Sequence, residues 1–458
     1  TLKKPSDELE DLSPSGCCKY RCEVRSDTVP FEELIAGDAR LAELPRHWLN
    51  VFQYRPDIGI LANNVVSDNV LFCMFTFSGL APYTPLLPGN IEAIELVRES
   101  LDRYFGGAPG YGQNTDHFTD SIPSMLIAAW DVIVTKGDMD LLSRWLPKME
   151  QLAETIEGQD RNGNGLLESR RTGNRGEGLE PHMRTGNWWD CINFGHEDAY
   201  VSALAYRAFR GLAHLERLAG RVEQAARFDG DADRIKQVYF KTFYNSETGI
   251  LAGWKSEDGE LHDYWFTFIN GIAIAYDLVP EDEAGAIMDR LQAKMKEVGY
   301  DRFDLGLPGN LVPVAKNDYV FQGALGSPKE EDGSDTFGVF ENGGATACYA
   351  YFYVQALYQL GRREEADQIL WPMIETYARG GFQNGVGKGG EWRRWDGTPS
   401  GYEGFLADAY YSQLALFTGY YGILLGDVGF KLAPWSPLKG QKVATKLKFM
   451  GKNVSWID

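Results

Sequence analysis

The sequence predicts an all-α toroid: helical hairpins forming an inner ring wrapped by an outer one, with small β-hairpin insertions and a short β-like C-terminal appendage. Three observations carry this expectation. Helical segments that are apolar on several faces alternate with segments apolar on one face only. The longest loops, rich in Gly, Asn, Trp and acids, all follow an amphipathic segment and precede an apolar one. The last thirty or so residues turn basic, turn-rich and β-like.

Amphipathic helices are expected at 90–105, 138–158, 223–244, 281–299 and 363–380, with Asp138 as the cap of the second. Buried helices are expected at 120–137, 196–220, 266–278, 343–361 and 404–426. Loops 159–195, 300–342 and 381–403 are long enough to be functional. The stretch 249–265 reads as a β-hairpin turning at "EDG" and falls at the same phase of the repeat. In a toroid that phase puts all four on one face, over the centre of the ring. The expected organisation is an N-terminal extension over 1–88, the barrel over 89–426 and a β-like tail over 427–458.

The composition of the 458 residues, 44% hydrophobic and 24% charged, is that of a globular protein. A net charge of −20 repels phosphate backbones and argues against nucleic acid as a partner. Aromatic residues, 13% of the chain with 12 Trp and 23 Tyr, suffice to pack a core and to line a cleft where apolar sugar faces stack. The six cysteines show no paired CxxC pattern; they read as free thiols in a reducing compartment, which favours the cytoplasm. No run reaches the roughly 18 apolar residues of a membrane-spanning helix. The most apolar stretch, "NVLFCMFTFSGLAPY", is short and ends in turn residues. The start, "TLKKPSDELEDL", has no signal-peptide pattern and no initiator Met, as in a processed chain or one cut from a longer protein.

Candidate chemistry lies in the long loops. In "RTGNWWDCINFG" (184–195), Asp190 can serve as a general acid with Trp188 and Trp189 shaping a sugar pocket, since burial beside indoles raises a carboxyl pKa. Equally, Asp190 can be a loop or cap residue and the tryptophans core filler. In "GGEWRRWDGTPSGYEGFLADAY" (389–410), Glu391 can activate water beside Trp392 and Trp395, or pair with Arg393 or Arg394 as a solvated acid. Glu403 is a rival base, or a first-turn helix acid. "DRNGNGLLE" (160–168) matches half of a calcium loop at Asp160, Asn162 and Asn164, but Arg171 stands at the twelfth position, so a tight Asn-Gly turn is the leading reading and calcium the lesser one. Glu168 can point into the cleft. Glu341 and Asn342 of "FENGG", together with Asp116, are candidates for binding hydroxyls, while His117 is read as structural. Trp265 completes the expected sugar-binding set. No serine elbow, phosphate loop or HExxH motif occurs, and neither a catalytic metal nor an organic cofactor is expected.

These segments resemble those of the six-hairpin, (α/α)6-barrel glycosidases over roughly residues 89–426. "NWWDCIN" is similar to the acid-bearing segment of cellobiose-phosphorylase-like enzymes and, in place, to that of glycoside hydrolase family 63. "DRNGNGLLE" resembles a turn frequent in these barrels, and "EWRRWDGTPSG" the base-bearing segment of family 63, which has Tyr where this chain has Arg393. The tail "KLAPWSPLKG" is similar to the β-appendage of α-L-rhamnosidases and fucosidases. The resemblance implies an (α/α)6 barrel, a glycoside or oligosaccharide substrate, Asp190 as acid and Glu391 as base. An inverting glycoside hydrolase, with two carboxylates roughly 6.5–9.5 Å apart, is the expected activity. A phosphorylase of the same fold and a non-catalytic carbohydrate-binding toroid are the alternatives.

Overall fold

The computed structural model describes residues 29–44, 52–62, 71–87, 92–108, 118–169, 186–189, 192–315, 318, 336–380, 392–400 and 413–456. Its helices are α1 (Phe31–Gly37), α2 (Met74–Leu80), α3 (Ile94–Phe105), α4 (Ser121–Lys136), α5 (Met139–Glu157), α6 (Ala199–Leu218), α7 (Val222–Phe243), α8 (Thr267–Ala275), α9 (Glu281–Val298), α10 (Ala347–Gln359) and α11 (Arg363–Ala378).

Burial separates two layers. Every residue of α4 from Ser121 to Thr135 is buried, because this helix packs on the ring interior and on the outer layer at once. On α5 only a stripe is buried: Leu141, Leu142, Trp145, Leu146, Met149, Leu152, Ala153 and Ile156. Helices α6, α8 and α10 follow the first pattern, and α7, α9 and α11 the second. Consecutive inner helices pack on one another from α2 through α10 and on to the segment at 413–420. Asp138 caps α5 as expected, accepting from Leu141 N at 2.8 Å.

The apolar stretch around residue 75 is itself an inner-ring helix. Helix α2 and the 3-10 turn Ala81–Leu86 pack on α4 and α3, inside the segment expected to be an extension. The ring closes where Tyr83 stacks on Phe417 at 5.7 Å and donates its hydroxyl to Ile423 O at 2.9 Å. Helix α1 covers this seam from outside: Phe31 meets Tyr421 edge-on at 4.8 Å, and Arg40 lies over the Trp371 ring of α11. The last expected helix ends at Tyr420. Gly422 takes a φ of +61°, and Ile423–Gly426 continues as a strand.

The described parts of the interhelical loops gather on one face, as their phase implied. Glu197–Asp198, at the start of α6, pairs with Trp254–Lys255, which pairs with Leu261–His262 of the expected hairpin. Ala345–Thr346, at the start of α10, lies between Leu307–Pro308 and Trp392–Arg393, the latter paired with Pro399–Ser400. These antiparallel strands tie successive loops together around the N-terminal ends of the inner helices. The β-like tail lies at the other end. The hairpin Val443–Phe449/Lys452–Trp456 docks its tip on the C-terminus of α4, with Met450 N donating to Val134 O at 2.6 Å and Gly451 N to Thr135 O at 3.0 Å.

Inner helices α8 and α10 approach closely at Gly271, where an added Cβ would lie 2.6 Å from Tyr353 N. Gly271→Val is therefore expected to destabilise the fold by about 1–3 kcal/mol or more, because backbone must move. At Gly285 of the outer helix α9 an added Cβ would meet nothing within 4 Å, so Gly285→Ala is expected to stabilise by about 0.5–1 kcal/mol. Urea unfolding of both variants measures the contrast.

Candidate active site

The mouth of the ring has an aromatic floor. Trp189 is fully buried and stacks on Tyr349 of α10, with centroids 5.6 Å apart and planes 7° from parallel. Phe194 and Tyr200 close around it at 4.9 and 5.2 Å. Trp188 keeps 8% of its surface exposed and meets Phe268 and Tyr349 edge-on at 5.6 and 5.9 Å. Trp392 reaches the same floor from another loop, 6.0 Å from Tyr349 and 4.8 Å from Phe340.

The loop carrying the tryptophans is fastened to inner-helix N-termini. Asn187 accepts from Trp189 N at 2.9 Å and donates to Asp198 Oδ2 at 2.6 Å. Asp198 caps α6 through Val201 N at 3.1 Å. Upstream, Gly186 O accepts from Thr119 N at 2.7 Å and from its hydroxyl at 2.6 Å. Burial pushes the Asp198 carboxyl up to about 7, although the donors from Val201 and Asn187 pull the other way.

Of the expected residues, Asp190, Glu391, Glu403 and Asp116 lie outside the described residues, as does His117. Trp189 has no exposed area, so it anchors the floor instead of facing a sugar. Of the two neighbouring indoles, Trp188 is the one with surface left to offer. Glu168 turns toward the "DRNGNG" turn, where its Oε1 accepts from Asn162 N at 3.1 Å. Glu341 is buried in its turn. Asn342 braces the chain, its Oδ1 accepting from Val314 N at 3.0 Å and from the Asn310 amide at 3.3 Å, so its carbonyl is spent on loop geometry. Trp395 is half-buried against Tyr300 and Phe337 and donates to Gly343 O at 2.7 Å. Trp265 takes a φ of +58°, and its ring lies 4.6 Å from Lys294 Nζ of the outer helix α9, which places it in the outer layer instead of the expected sugar site.

The "DRNGNG" segment is the tight turn expected. Gly163 and Gly165 take φ of +75° and +97°, and the side-chain oxygens of Asp160, Asn162 and Asn164 accept from Gly165 N, Asn164 N and Leu166 N at 2.9, 2.9 and 2.8 Å. The amides of Asn162 and Asn164 donate to Glu197 Oε1. Among the described residues, Glu168, His196 and Glu197 are the group whose ligand atoms converge enough to hold a cation, all within 4.8 Å.

Residues that the sequence did not single out hold this mouth: Asn187, Asp198, His262 and Asp318. For Asn187, Asp198 and His262 the one signal was position, in segments that lead into buried helices; Asp318, in the middle of a long loop, gave none.

A folded-state pKa above the ordinary carboxylate value means that folded Asp198 keeps its proton where the unfolded chain has lost it. Its contribution is therefore fullest below about pH 4 and is lost as pH rises through about 7. Wild type is expected to lose stability across that window, and Asp198→Asn to lose that component of the slope. Urea unfolding at stepped pH measures both slopes.

Residues 99–314 match the family profile described as the bacterial alpha-L-rhamnosidase 6 hairpin glycosidase domain. No curated protein sequence matches the chain significantly. Among solved structures, a sialidase superposes with a TM-score of 0.58 at 14% identity, over 92% of this chain and 37% of its own. An alpha-L-rhamnosidase from Dictyoglumus thermophilum gives 0.50 at 14%, over 85% of this chain and 38% of its own. The family 63 mannosylglycerate hydrolase from Thermus thermophilus, solved with Tris, gives 0.54 at 14%, over 81% of this chain and 100% of its own. The chain thus spans a little over a third of the first two proteins and the whole of the third. Residues 99–314, a little under half of the chain, are thus similar to the six-hairpin glycosidase domain, and the solved structures share its ring fold.

Proposed function

We propose that the chain is an inverting glycoside hydrolase in which Asp190 is the general acid and Glu391 the general base. One observation carries this reading. Trp189 immediately precedes Asp190, Trp392 immediately follows Glu391, and both rings pack on Tyr349, at 5.6 and 6.0 Å. Loops from distant parts of the sequence therefore converge, each carrying a carboxylate next to its anchor. Asp190 protonates the glycosidic oxygen as the bond to the anomeric carbon breaks. Glu391 takes a proton from the water that attacks that carbon from the opposite face, and the product inverts. Glu403 is the alternative base. Trp188 and Trp392 wall the sugar site, with Asp116 as a further hydroxyl partner. The substrate is a glycoside or oligosaccharide. Among the described residues, no helix is long and apolar enough to cross a membrane.

The reaction as proposed uses no cofactor. The amide oxygens of Asn162 and Asn164 already serve backbone donors, which weighs against calcium in their turn. Turnover is expected to be unchanged after exhaustive treatment with EDTA; a loss restored by calcium would assign the ion a role.

The central test is turnover of α- and β-aryl glycosides, including rhamnosides, mannosides and glucosides, with the product anomer followed by NMR. Asp190→Asn and Glu391→Gln are each expected to lower kcat by about 10²–10⁴-fold. Near-wild-type turnover in either variant sinks that residue's assignment. A strict requirement for phosphate would instead identify a phosphorylase, in which Glu391 is dispensable.

A further inference from the structure

A buried polar cluster lies beside the aromatic floor. His262, on the hairpin before α8, has its Nδ1 2.8 Å from Asp318 Oδ2 and its Nε2 3.0 Å from Ser256 Oγ. A carboxylate only accepts, so Nδ1 carries the hydrogen. The imidazole lies flat on Trp254, with centroids 4.7 Å apart and planes 2° from parallel. Tyr264 donates its hydroxyl to the same Asp318 oxygen. Ser256, His262 and Asp318 are 2%, 5% and 2% exposed.

The distances match those of a nucleophile, base and orienting acid. Ser256 does not fit that role. It is buried in the hairpin turn, its hydroxyl reaches Asp258 Oδ1 at 2.6 Å, and its backbone N–H donates to Glu260 O at 2.9 Å. On the serine side the cluster pins the hairpin. The other side does something different: Asp318 O accepts from Asn193 N at 2.7 Å, and Asn193 stands three residues beyond Asp190. The loop is already held at Asn187 and Trp189, so this bond fixes its second end.

We infer that Asp318, gripped by His262 and Tyr264, is a positioning residue that clamps the acid-bearing loop so that Asp190 meets the glycosidic oxygen. This rests on the assignment of Asp190 as the acid. Asp318 touches no reacting atom. Its side chain is held by the hairpin and its carbonyl holds the loop, so loosening the grip displaces the proton donor while leaving the sugar's own contacts in place.

Leaving groups separate this role from a merely structural one. A 2,4-dinitrophenolate departs without protonation, whereas phenolate needs the acid. On phenyl and 2,4-dinitrophenyl glycosides of the sugar that the aryl panel selects, Asp318→Ala is expected to lower kcat about 10–100-fold for phenyl and less than about 3-fold for dinitrophenyl, with KM nearly unchanged. Tyr264→Phe, which removes one of the two side-chain grips on Asp318, is expected to shift kcat in the same sense by a smaller factor and serves if Asp318→Ala does not fold. Asp318→Asn, which keeps an acceptor oxygen, is expected to recover most of the phenyl rate. Equal losses on both substrates, or none, overturn the clamp. Asp190→Asn in the same assay keeps the two ideas apart: if it spares phenyl glycosides, the acid assignment fails; if it loses them while Asp318→Ala does not, only the clamp fails. Hydrogen exchange gives a readout independent of turnover. The Asn193 amide is expected to exchange at least about tenfold faster in Asp318→Ala, with the amides of α6 unchanged; unaltered exchange at Asn193 overturns the clamp even for a protein inactive on every glycoside.

Discussion

The stacking of Trp189 on Tyr349 is the contact on which the mouth depends. Tyr349 belongs to an inner helix whose place in the ring is set by backbone-to-backbone packing at Gly271, so it offers a rigid surface. A large indole with no exposed area holds its loop on that surface through burial, an energy that does not depend on the fine geometry of any one hydrogen bond. Trp392 then joins the same ring from a second loop. Two segments distant in sequence thus share one aromatic reference point, and the chemistry proposed for the site inherits its spacing from that sharing.

Polar groups refine what the aromatic contacts establish. Asn187 bonds both to Trp189 N and to the cap of α6, and Asn342 bonds both to Val314 N and to Asn310. Such buried, satisfied networks add little net stability, but they penalise every alternative loop path, which would strand a buried amide or carboxylate. The raised pKa of Asp198 has the same origin: the residue is kept for the path it enforces, at the cost of a desolvated carboxyl.

The ring was legible in the sequence because inner and outer helices differ in how many faces they bury, and a hydrophobic pattern records that directly. Helix α2 escaped notice because it is short and runs into Pro82 and Pro85, so its apolar stretch shows no helical period. The loop phase also predicted that the described loop strands would gather around the N-terminal ends of the inner helices. Side-chain direction was not legible. Trp265 looked like a sugar platform, but a positive φ turns the chain and sends its ring to the outer layer. Asn342 looked like a hydroxyl partner because its turn role depends on Asn310 and Val314, which lie far from it in sequence. His262 and Asp318 carry no motif at all; only the fold brings them together.

Strand Val29–Pro30 runs parallel to Val443–Ala444, and Tyr83 completes the seam against Phe417. A circle assembled in chain order leaves its first inner helix with one lateral face uncovered until the last has been made. The contacts that finish it have very high sequence separation, so their loop-closure entropy is met before any of their burial is gained. Each intermediate arc exposes an apolar flank at both ends. The architecture therefore favours concerted completion over stepwise accretion, unlike an open solenoid, in which every added hairpin covers the one before it.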